Sequence, residues 1–153
     1  MCDFKNKLAE FFKNLGSSQK MILATSSNNR VTARMMSCVL IDGSFYFQTD
    51  KNFLKYEQMI ANPLVALCVD NIQIEGTAIV LGHPLDKENI FFAVEFEKNY
   101  KGSFDAYSAL MDEVLIKIIP AQITLWEYEN NKPLRVFYDI ENQKYSKEYY
   151  VAQ

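Results

Sequence analysis

The stretch that decides the fold lies at residues 31–49 and reads VTARMMSCVLIDGSFYFQT. It contains two apolar runs, 31–41 and 44–49, separated by Asp42-Gly43. An Asp-Gly pair between such runs favours the two-residue turn whose backbone twist matches that of antiparallel strands. The stretch therefore predicts a β-hairpin with two long arms.

Ahead of the hairpin, the sequence predicts a helix and a first strand. Residues 3–15 carry apolar side chains at helical spacing, and Gly16 follows as a stop signal. These apolar residues are Phe4, Leu8, Phe11, Phe12 and Leu15. Residues 20–27 are rich in apolar side chains and lead into Asn28-Asn29, which predicts a strand that ends in a turn.

After the hairpin, the sequence predicts helices and further strands. A short helix is expected at about 52–61. It ends there because Asn62, the residue before Pro63, disfavours helical backbone. Residues 86–111 are expected to be helical in two pieces broken near Gly102-Ser103. Further strands are predicted at 64–70, 72–81, 114–119, 122–129 and 134–138. These strands, without long strand–helix–strand alternation, indicate one mainly β domain over 1–153, a six- to seven-stranded antiparallel split barrel with helical lids.

The composition excludes several classes of protein. Hydrophobic residues make up 49% of the 153 residues and charged residues 23%, a globular balance that rules out wholesale disorder. The formal net charge of −3 argues against a nucleic-acid partner. No run approaches the roughly 18 consecutive apolar residues of a membrane span, and the first residues lack the apolar core of a signal peptide. We therefore expect a cytoplasmic protein with neither a membrane nor a nucleic-acid partner.

The rare residues exclude several kinds of site. The cysteines Cys2, Cys38 and Cys68 are odd in number and widely spaced, which predicts neither a disulfide framework nor a redox motif. The one histidine, His83, lies in a predicted turn, and protein-built zinc sites need several Cys or His ligands. The five glycines match neither the dinucleotide-binding fingerprint nor a P-loop. We expect no metal site.

The predicted hairpin brings a cation and a hydroxyl to one end of an apolar surface. With a two-residue turn, Met36 lies opposite Thr49 and Arg34 opposite Lys51, so Arg34 is a diagonal neighbour of Thr49 on one face. The apolar Met36 and Cys38 share that face. This combination predicts a site for a small amphiphilic anion.

Two lysines at the start of the next predicted helix favour the same kind of ligand. Lys51 and Lys55 fall just before and within its first turn, where positive charge opposes the helix dipole. A bound phosphate reverses the sign of that electrostatic effect, because the N–H groups at a helix N-terminus attract anions. The alternative is that both lysines extend into water. Their convergence with Arg34 and Thr49 favours phosphate binding.

Six motifs, in a defined order and spacing, carry a resemblance to a known family. They are Leu23-Ala24-Thr25, Arg34-Met35-Met36, Phe47-Gln48-Thr49, Lys55, Asn62-Pro63 and Glu75-Gly76. With them the chain resembles the pyridoxamine 5′-phosphate oxidase-like FMN-binding split barrels, in particular the general-stress-protein and flavin-reductase-like branches. The resemblance covers about residues 20–82 and extends more loosely to Trp126.

The resemblance implies a homodimer of split β-barrels with FMN at the subunit interface. The residues that match positions along the flavin ring and ribityl chain are Arg34, Met35, Met36 and Ser37. Those that match ribityl and phosphate contacts are Gln48, Thr49 and Lys55. Trp126 matches a tryptophan that the partner subunit contributes near the ring. Lys51 is added to the candidate cofactor-binding residues because it lies directly before the predicted helix.

Several departures argue against a true pyridoxamine 5′-phosphate oxidase. Val39 stands where those enzymes carry a lysine, and residues 83–111 contain no Arg-Pro stretch with a Ser/Gln-rich segment. Their late Arg-Leu-His-Asp-Arg motif has its only counterpart at residues 135–139, which lack the histidine and the second arginine. The substrate-phosphate site of those enzymes is therefore expected to be absent, and vitamin B6 oxidation with it.

These observations predict an FMN-dependent oxidoreductase with an unknown small-molecule substrate or electron donor, similar to a flavin or quinone reductase. The flavin supplies the electron chemistry, and no side chain stands out as a catalytic acid or base. The alternative is a non-catalytic carrier or sensor that binds flavin or haem, for which His83 is the only histidine available as a haem ligand. A structural dimer with an empty pocket is a third interpretation.

Overall fold

A computed structural model describes residues 2–151 of the chain. Within this range the helices are α1 (Cys2–Leu15), α2 (Leu54–Ala61), α3 (Ile90–Asn99) and α4 (Lys101–Tyr107). The strands are β1 (Ser18–Ser27), β2 (Arg30–Ile41), β3 (Ser44–Asp50), β4 (Leu64–Val69), β5 (Ile72–Val80), β6 (Glu113–Glu129), β7 (Lys132–Asp139) and β8 (Lys144–Tyr149). No helix in this range combines the length and apolar character needed to cross a bilayer.

Six of the strands close into an antiparallel barrel. They follow one another in the order β3-β2-β1-β4-β5-β6, and pairing of β3 with β6 closes the ring. Strands β7 and β8 extend the sheet beyond β6. The predicted mainly β fold, a split antiparallel barrel, is confirmed. The eighth strand lies in the polar tail, where the sequence carries no strand signal of its own.

Asparagine, aspartate and glycine make the tight turns of the hairpins. Asn28 and Asn29 both have positive φ, at 50° and 63°, and Asp42 and Gly43 have φ of 49° and 76°. Positive φ at both central residues is the signature of the type I′ turn, which matches the twist of the strands it joins. The two turns predicted from these residues are confirmed.

Strand β6 is continuous where the sequence predicts two strands, 114–119 and 122–129, so that boundary is wrong. Pro120 lies inside the strand, and the pairing with β5 shifts by one residue at that point. A proline lacks the N–H of the ladder but is tolerated at such a bulge. A Cβ on Gly76, opposite the bulge, would lie 2.6 Å from the carbonyl oxygen of Ile119, so the close approach of the two strands requires glycine.

Helix α1 packs against the main core of the barrel. Its side chains Phe4, Phe11 and Leu15 are buried in the main core, and the Phe11 ring lies 5.5 Å from the ring of Tyr138 on β7. The apolar face predicted from helical spacing is thus the packing face. Burying a large apolar side chain stabilises the fold by about 1.5–3 kcal/mol.

Helices α3 and α4 pack on the outside of the barrel around a second, smaller core. Phe92 and Phe96 on α3 contact the buried Val39 of β2 in this core. The helices meet at Tyr100, and Gly102 lies within α4, so the predicted break near Gly102-Ser103 is wrong. The hydroxyl of Tyr100 donates a 2.8 Å hydrogen bond to the carbonyl oxygen of Cys38, which fixes the junction against β2.

Candidate functional site

Strands β2 and β3 separate soon after their turn and leave a cleft between them. Their pairing is confirmed in register from the Ile41–Ser44 pair at the turn to the Val39–Tyr46 pair, and it ends there. Beyond that point β3 pairs with β6, with Thr49 opposite Val114. The predicted cross-strand pairs of Met36 with Thr49 and of Arg34 with Lys51 are therefore wrong. The barrel opens here because β2 stays with β1 while β3 turns to β6.

The cleft holds a cavity of about 360 Å³, within the size range of small-molecule sites. Six of the sequence-predicted residues line it: Met35, Met36, Ser37, Gln48, Thr49 and Lys55. They come from β2, from β3 and from the first turn of α2. The structure thus brings the two sides of the predicted site together across the cleft, although not as a paired hairpin.

Thr49 provides the clearest sign that this cavity receives a polar ligand. Its side chain is 4% exposed, and its Oγ1 has no hydrogen-bond partner, alone among buried side-chain polar atoms of the described residues. A buried hydroxyl without a partner destabilises the folded state by about 1–3 kcal/mol. A ligand oxygen in the cavity would accept from this hydroxyl and remove that penalty.

Lys55 provides positive charge in the same cavity. Burial lowers the pKa of Lys55, and the charge of Arg34 lowers it further, while Glu113 and Asp50 raise it. Helix α2 begins after Phe53, whose side chain accepts no hydrogen bond from the helix. The N-terminus of α2 therefore has no side-chain cap, and its first N–H groups suit an anion.

Arg34 takes part in a partly buried hydrogen-bond network beside the cavity and is not one of its lining residues. Its guanidinium donates to the carbonyl oxygen of Leu23 at 3.2 Å and to Thr25 Oγ1 at 2.8 Å, and also to Thr32 Oγ1. Both hydroxyls donate to Gln58 Oε1, at 2.5 and 2.6 Å. Burial lowers the pKa of Arg34.

The structure places Lys51 and Trp126 outside this cavity. Lys51 is exposed, and its backbone N–H donates to the carbonyl oxygen of Asp112 at 2.9 Å. Trp126 lies near the far end of β6, is 40% exposed, and contacts Tyr128 and Tyr150. Neither residue is brought to the cleft of its own chain.

Glu113 is the main cavity residue that the sequence reasoning missed. It lies at the first position of β6, opposite Asp50 of β3, and is 5% exposed. Burial raises the pKa of the Glu113 carboxyl, and the charge of Asp50 raises it further; Lys55 and His83 lower it, as does hydrogen bonding from Gln48. The signal in the sequence was a pair of acids, Asp112 and Glu113, directly before an apolar strand.

The segment around α3 and α4 covers the cavity with mostly apolar groups. Phe96 and Tyr107 line the cavity from these helices, and Leu110 does so from the loop before β6. Ser108 donates a 2.8 Å hydrogen bond to Gln48 Oε1, which ties this loop to β3. The cavity therefore has a polar end at Thr49 and Lys55 and an apolar cover.

A hollow of about 460 Å³ beside β1, β4 and β5 is larger but lacks these features. Its lining includes Thr25, Glu75 and Gly76 but no lysine or arginine. The cleft between β2 and β3 is therefore the better candidate for an anionic ligand.

Fold and site together define a split antiparallel barrel with a cleft whose lining suits an anionic ligand. The sequence profile of the family described as pyridoxamine 5′-phosphate oxidase matches residues 4–127. The chain belongs to this family. A comparison with curated proteins finds no match.

Solved structures show the same fold at low sequence identity. General stress protein 26 from Bacillus anthracis is 22% identical with a TM-score of 0.58, over 78% of this chain and 90% of that one. A pyridoxamine 5′-phosphate oxidase-related, FMN-binding protein from Nostoc punctiforme is 17% identical with a TM-score of 0.63, over 96% and 94%. HutZ, a haem storage protein from Vibrio cholerae, is 14% identical with a TM-score of 0.63, over 80% and 94%.

Proposed function

We propose that this protein binds FMN in the cleft between β2 and β3 and acts as an FMN-dependent oxidoreductase on a small-molecule substrate. The observation that carries the proposal is the buried Oγ1 of Thr49, which lacks a partner in the same cavity as Lys55, in a member of this family. The proposed enzyme resembles a flavin or quinone reductase and is not a true pyridoxamine 5′-phosphate oxidase.

In this proposal the phosphate group lies at the polar end of the cavity. The Thr49 hydroxyl and the Lys55 ammonium donate to its oxygens, and the uncapped N-terminus of α2 adds a favourable dipole. Arg34 adds positive charge from beside the cavity, and that charge contributes to the lowered pKa of Lys55.

The remaining predicted residues suit the less polar part of the flavin. Met35, Met36 and Ser37 follow one another along β2 at the wall of the cavity. Gln48 lies across the cleft on β3, where its amide can meet the ribityl hydroxyls. The bound flavin supplies hydride and electron transfer, whereas the chain provides orientation and access.

We further propose that two copies of the chain form a homodimer that completes the site. The outer face of β2, β1 and β4 supports this, because Met35 pairs with Ile22 and Ile22 with Cys68, and all three are exposed. Met35 also lines the cavity, so the cleft opens next to this apolar row. Trp126, which lies away from its own cleft, is then available to the cleft of the partner.

The haem alternative draws no support from His83. Its Nδ1 accepts a 3.0 Å hydrogen bond from the N–H of Leu85, and its Nε2 lies 2.8 Å from the carbonyl oxygen of Leu110. Because a carbonyl oxygen only accepts, Nε2 carries the proton. Both ring nitrogens are therefore engaged in the loop structure.

The absorption spectrum of the purified protein, with mass identification of any small molecule released on denaturation, tests the cofactor. We expect FMN at close to one per chain. A colourless protein that also fails to bind added FMN would contradict the proposal, and a Soret band would favour haem.

The site assignment is tested by Lys55→Ala, which removes the cation that lines the cavity. We expect loss of FMN retention in Lys55→Ala, whereas the control Lys132→Ala, on β7, retains it. Equal FMN content in both variants would show that the phosphate lies elsewhere. Reduction of the bound flavin by NADH or NADPH, with turnover of an added electron acceptor, then tests the oxidoreductase role.

A further inference from the structure

A buried carboxyl shares the cavity with the groups proposed to hold the phosphate. Glu113 lines the same cavity as Thr49 and Lys55 and is almost fully buried. A carboxylate at this place repels a phosphate dianion, and the repulsion is strong because little water reaches a side chain as buried as that of Glu113. Binding of a phosphate therefore favours the neutral, protonated form of Glu113.

The groups around Glu113 leave it prone to take up a proton when a ligand neutralises Lys55. Asp50 faces it from the neighbouring strand β3 and disfavours its negative charge. Lys55 on α2 favours that charge, as do hydrogen bonding from Gln48 and, when its ring is protonated, His83 in the loop after β5. A phosphate that binds to Lys55 offsets the positive charge of this lysine, which is the strongest nearby interaction that keeps Glu113 ionised.

We infer that Glu113 is a further residue of the phosphate site and that its carboxyl is protonated when the phosphate is bound, so that phosphate binding takes up a proton. As a protonated acid, Glu113 has an O–H that can donate to a ligand oxygen, whereas the carboxylate only accepts. This inference rests on the proposed flavin function. It adds that the affinity of the site for a charged phosphate depends on pH. Thr49, with its free hydroxyl, marks the place of the ligand independently of any titration.

The test compares FMN affinity in the wild type and in Glu113→Gln between about pH 5 and pH 9, a range that spans a raised carboxyl pKa. Glutamine keeps the shape and a hydrogen-bond donor but cannot become negative. We expect the FMN affinity of the wild type to fall relative to that of the variant as pH rises. The fall should be about tenfold for each unit by which bound phosphate raises the pKa of Glu113.

Two controls isolate the carboxyl and the phosphate. Asp112→Asn removes the neighbouring carboxylate, which is exposed and does not line the cavity, so its affinity profile should follow that of the wild type. Riboflavin lacks the phosphate, so its affinity should respond to pH equally in the wild type and in Glu113→Gln. If FMN shows the same pH dependence in these two proteins, the inference is wrong while the flavin site stands.

Calorimetry on the wild-type protein keeps the test decisive if Glu113→Gln fails to fold. Titrations of FMN at about pH 7, where a phosphate monoester with pKa near 6 is mostly a dianion, are run in two buffers of different ionisation enthalpy. We expect net proton uptake with FMN and none with riboflavin. Zero uptake with FMN would overturn the inference, and failure of both flavins to bind would overturn the proposed function itself.

Discussion

At the scale of single residues, Thr49 is buried at a place where the barrel offers its hydroxyl no partner. Strand β3 pairs with β6 through its backbone, which leaves the side chain of Thr49 directed to the cavity. An apolar residue of the same size would suit the unliganded protein better. We therefore propose that this threonine serves a ligand and not packing.

Thr49→Val tests this explanation, because valine keeps the shape and removes the hydroxyl. We expect the unliganded protein to gain about 1 kcal/mol in the free energy of unfolding, since an unsatisfied buried polar group is lost. We expect FMN affinity to fall by about tenfold, as one hydrogen bond to a charged group is lost. Urea unfolding and flavin titration measure the two effects.

Thr124→Val, a change of the same type on β6 outside the cavity, is the control and should leave FMN affinity unchanged. A Thr49→Val protein that is less stable than the wild type would show that the hydroxyl has a role in the fold itself.

At the scale of elements, the position of α2 depends on one buried glutamine. Gln58 is 2% exposed. Its Oε1 accepts from Thr25 and Thr32, and its Nε2 donates to the carbonyl oxygen of Arg30 at 3.1 Å. Helix α2 is thereby attached to β1 and β2 three residues after Lys55, so Gln58 is a positioning residue for that lysine.

Gln58→Leu should lower the free energy of unfolding by about 2 kcal/mol, because the hydroxyls of Thr25 and Thr32 lose their acceptor inside the fold. It should also weaken FMN binding, since Lys55 is no longer held in place. Gln58→Glu keeps an acceptor for both hydroxyls beside Arg34 and should restore a large part of the affinity.

Thermal unfolding and flavin titration of both variants check this prediction, with the exposed neighbour Glu57→Ala as the control. If Gln58→Leu loses stability but binds FMN as tightly as the wild type, Gln58 serves the fold alone.

At the scale of the whole molecule, the outer face of the barrel is unusually apolar on one side. Across β2, β1 and β4, the row of Met35, Ile22 and Cys68 is followed by a row of Ala33, Ala24 and Ala66. Small side chains allow a second sheet surface to approach closely. This face lies beside the cleft, so a partner seated there would cover the open side of the proposed flavin site.

Ile22→Lys should convert a dimer into a monomer, because a buried charge without a partner strongly disfavours association. We expect FMN retention to fall together with the dimer, since the site is then open to water on one side. Light scattering after size-exclusion chromatography, with flavin absorbance recorded in the same run, measures both quantities.

Ile90→Lys, a matched change at the exposed start of α3, should leave mass and flavin content unchanged. A wild-type protein that elutes as a monomer with FMN bound would contradict the proposed dimer.

The local features of this fold follow from the sequence alone because local interactions produce them. Asn28-Asn29 and Asp42-Gly43 accept positive φ at little cost, so they specify their turns. The apolar spacing of α1 specifies a buried face, and the order of motifs around Arg34 and Lys55 indicates the family. Six of the nine residues predicted to bind the cofactor line one cavity, and the resemblance to the family names all six.

Only the tertiary structure decided which strands pair with one another beyond the turns. The sequence shows that β2 and β3 form a hairpin, but β3 leaves β2 for β6, which lies far along the chain. The backbone hydrogen-bonding groups of a strand can pair with those of any other strand. The arrangement of the whole sheet, and not the sequence of β3, therefore determines the partner of β3. That selection opens the cleft, places Glu113 opposite Asp50, and leaves the hydroxyl of Thr49 free for a ligand.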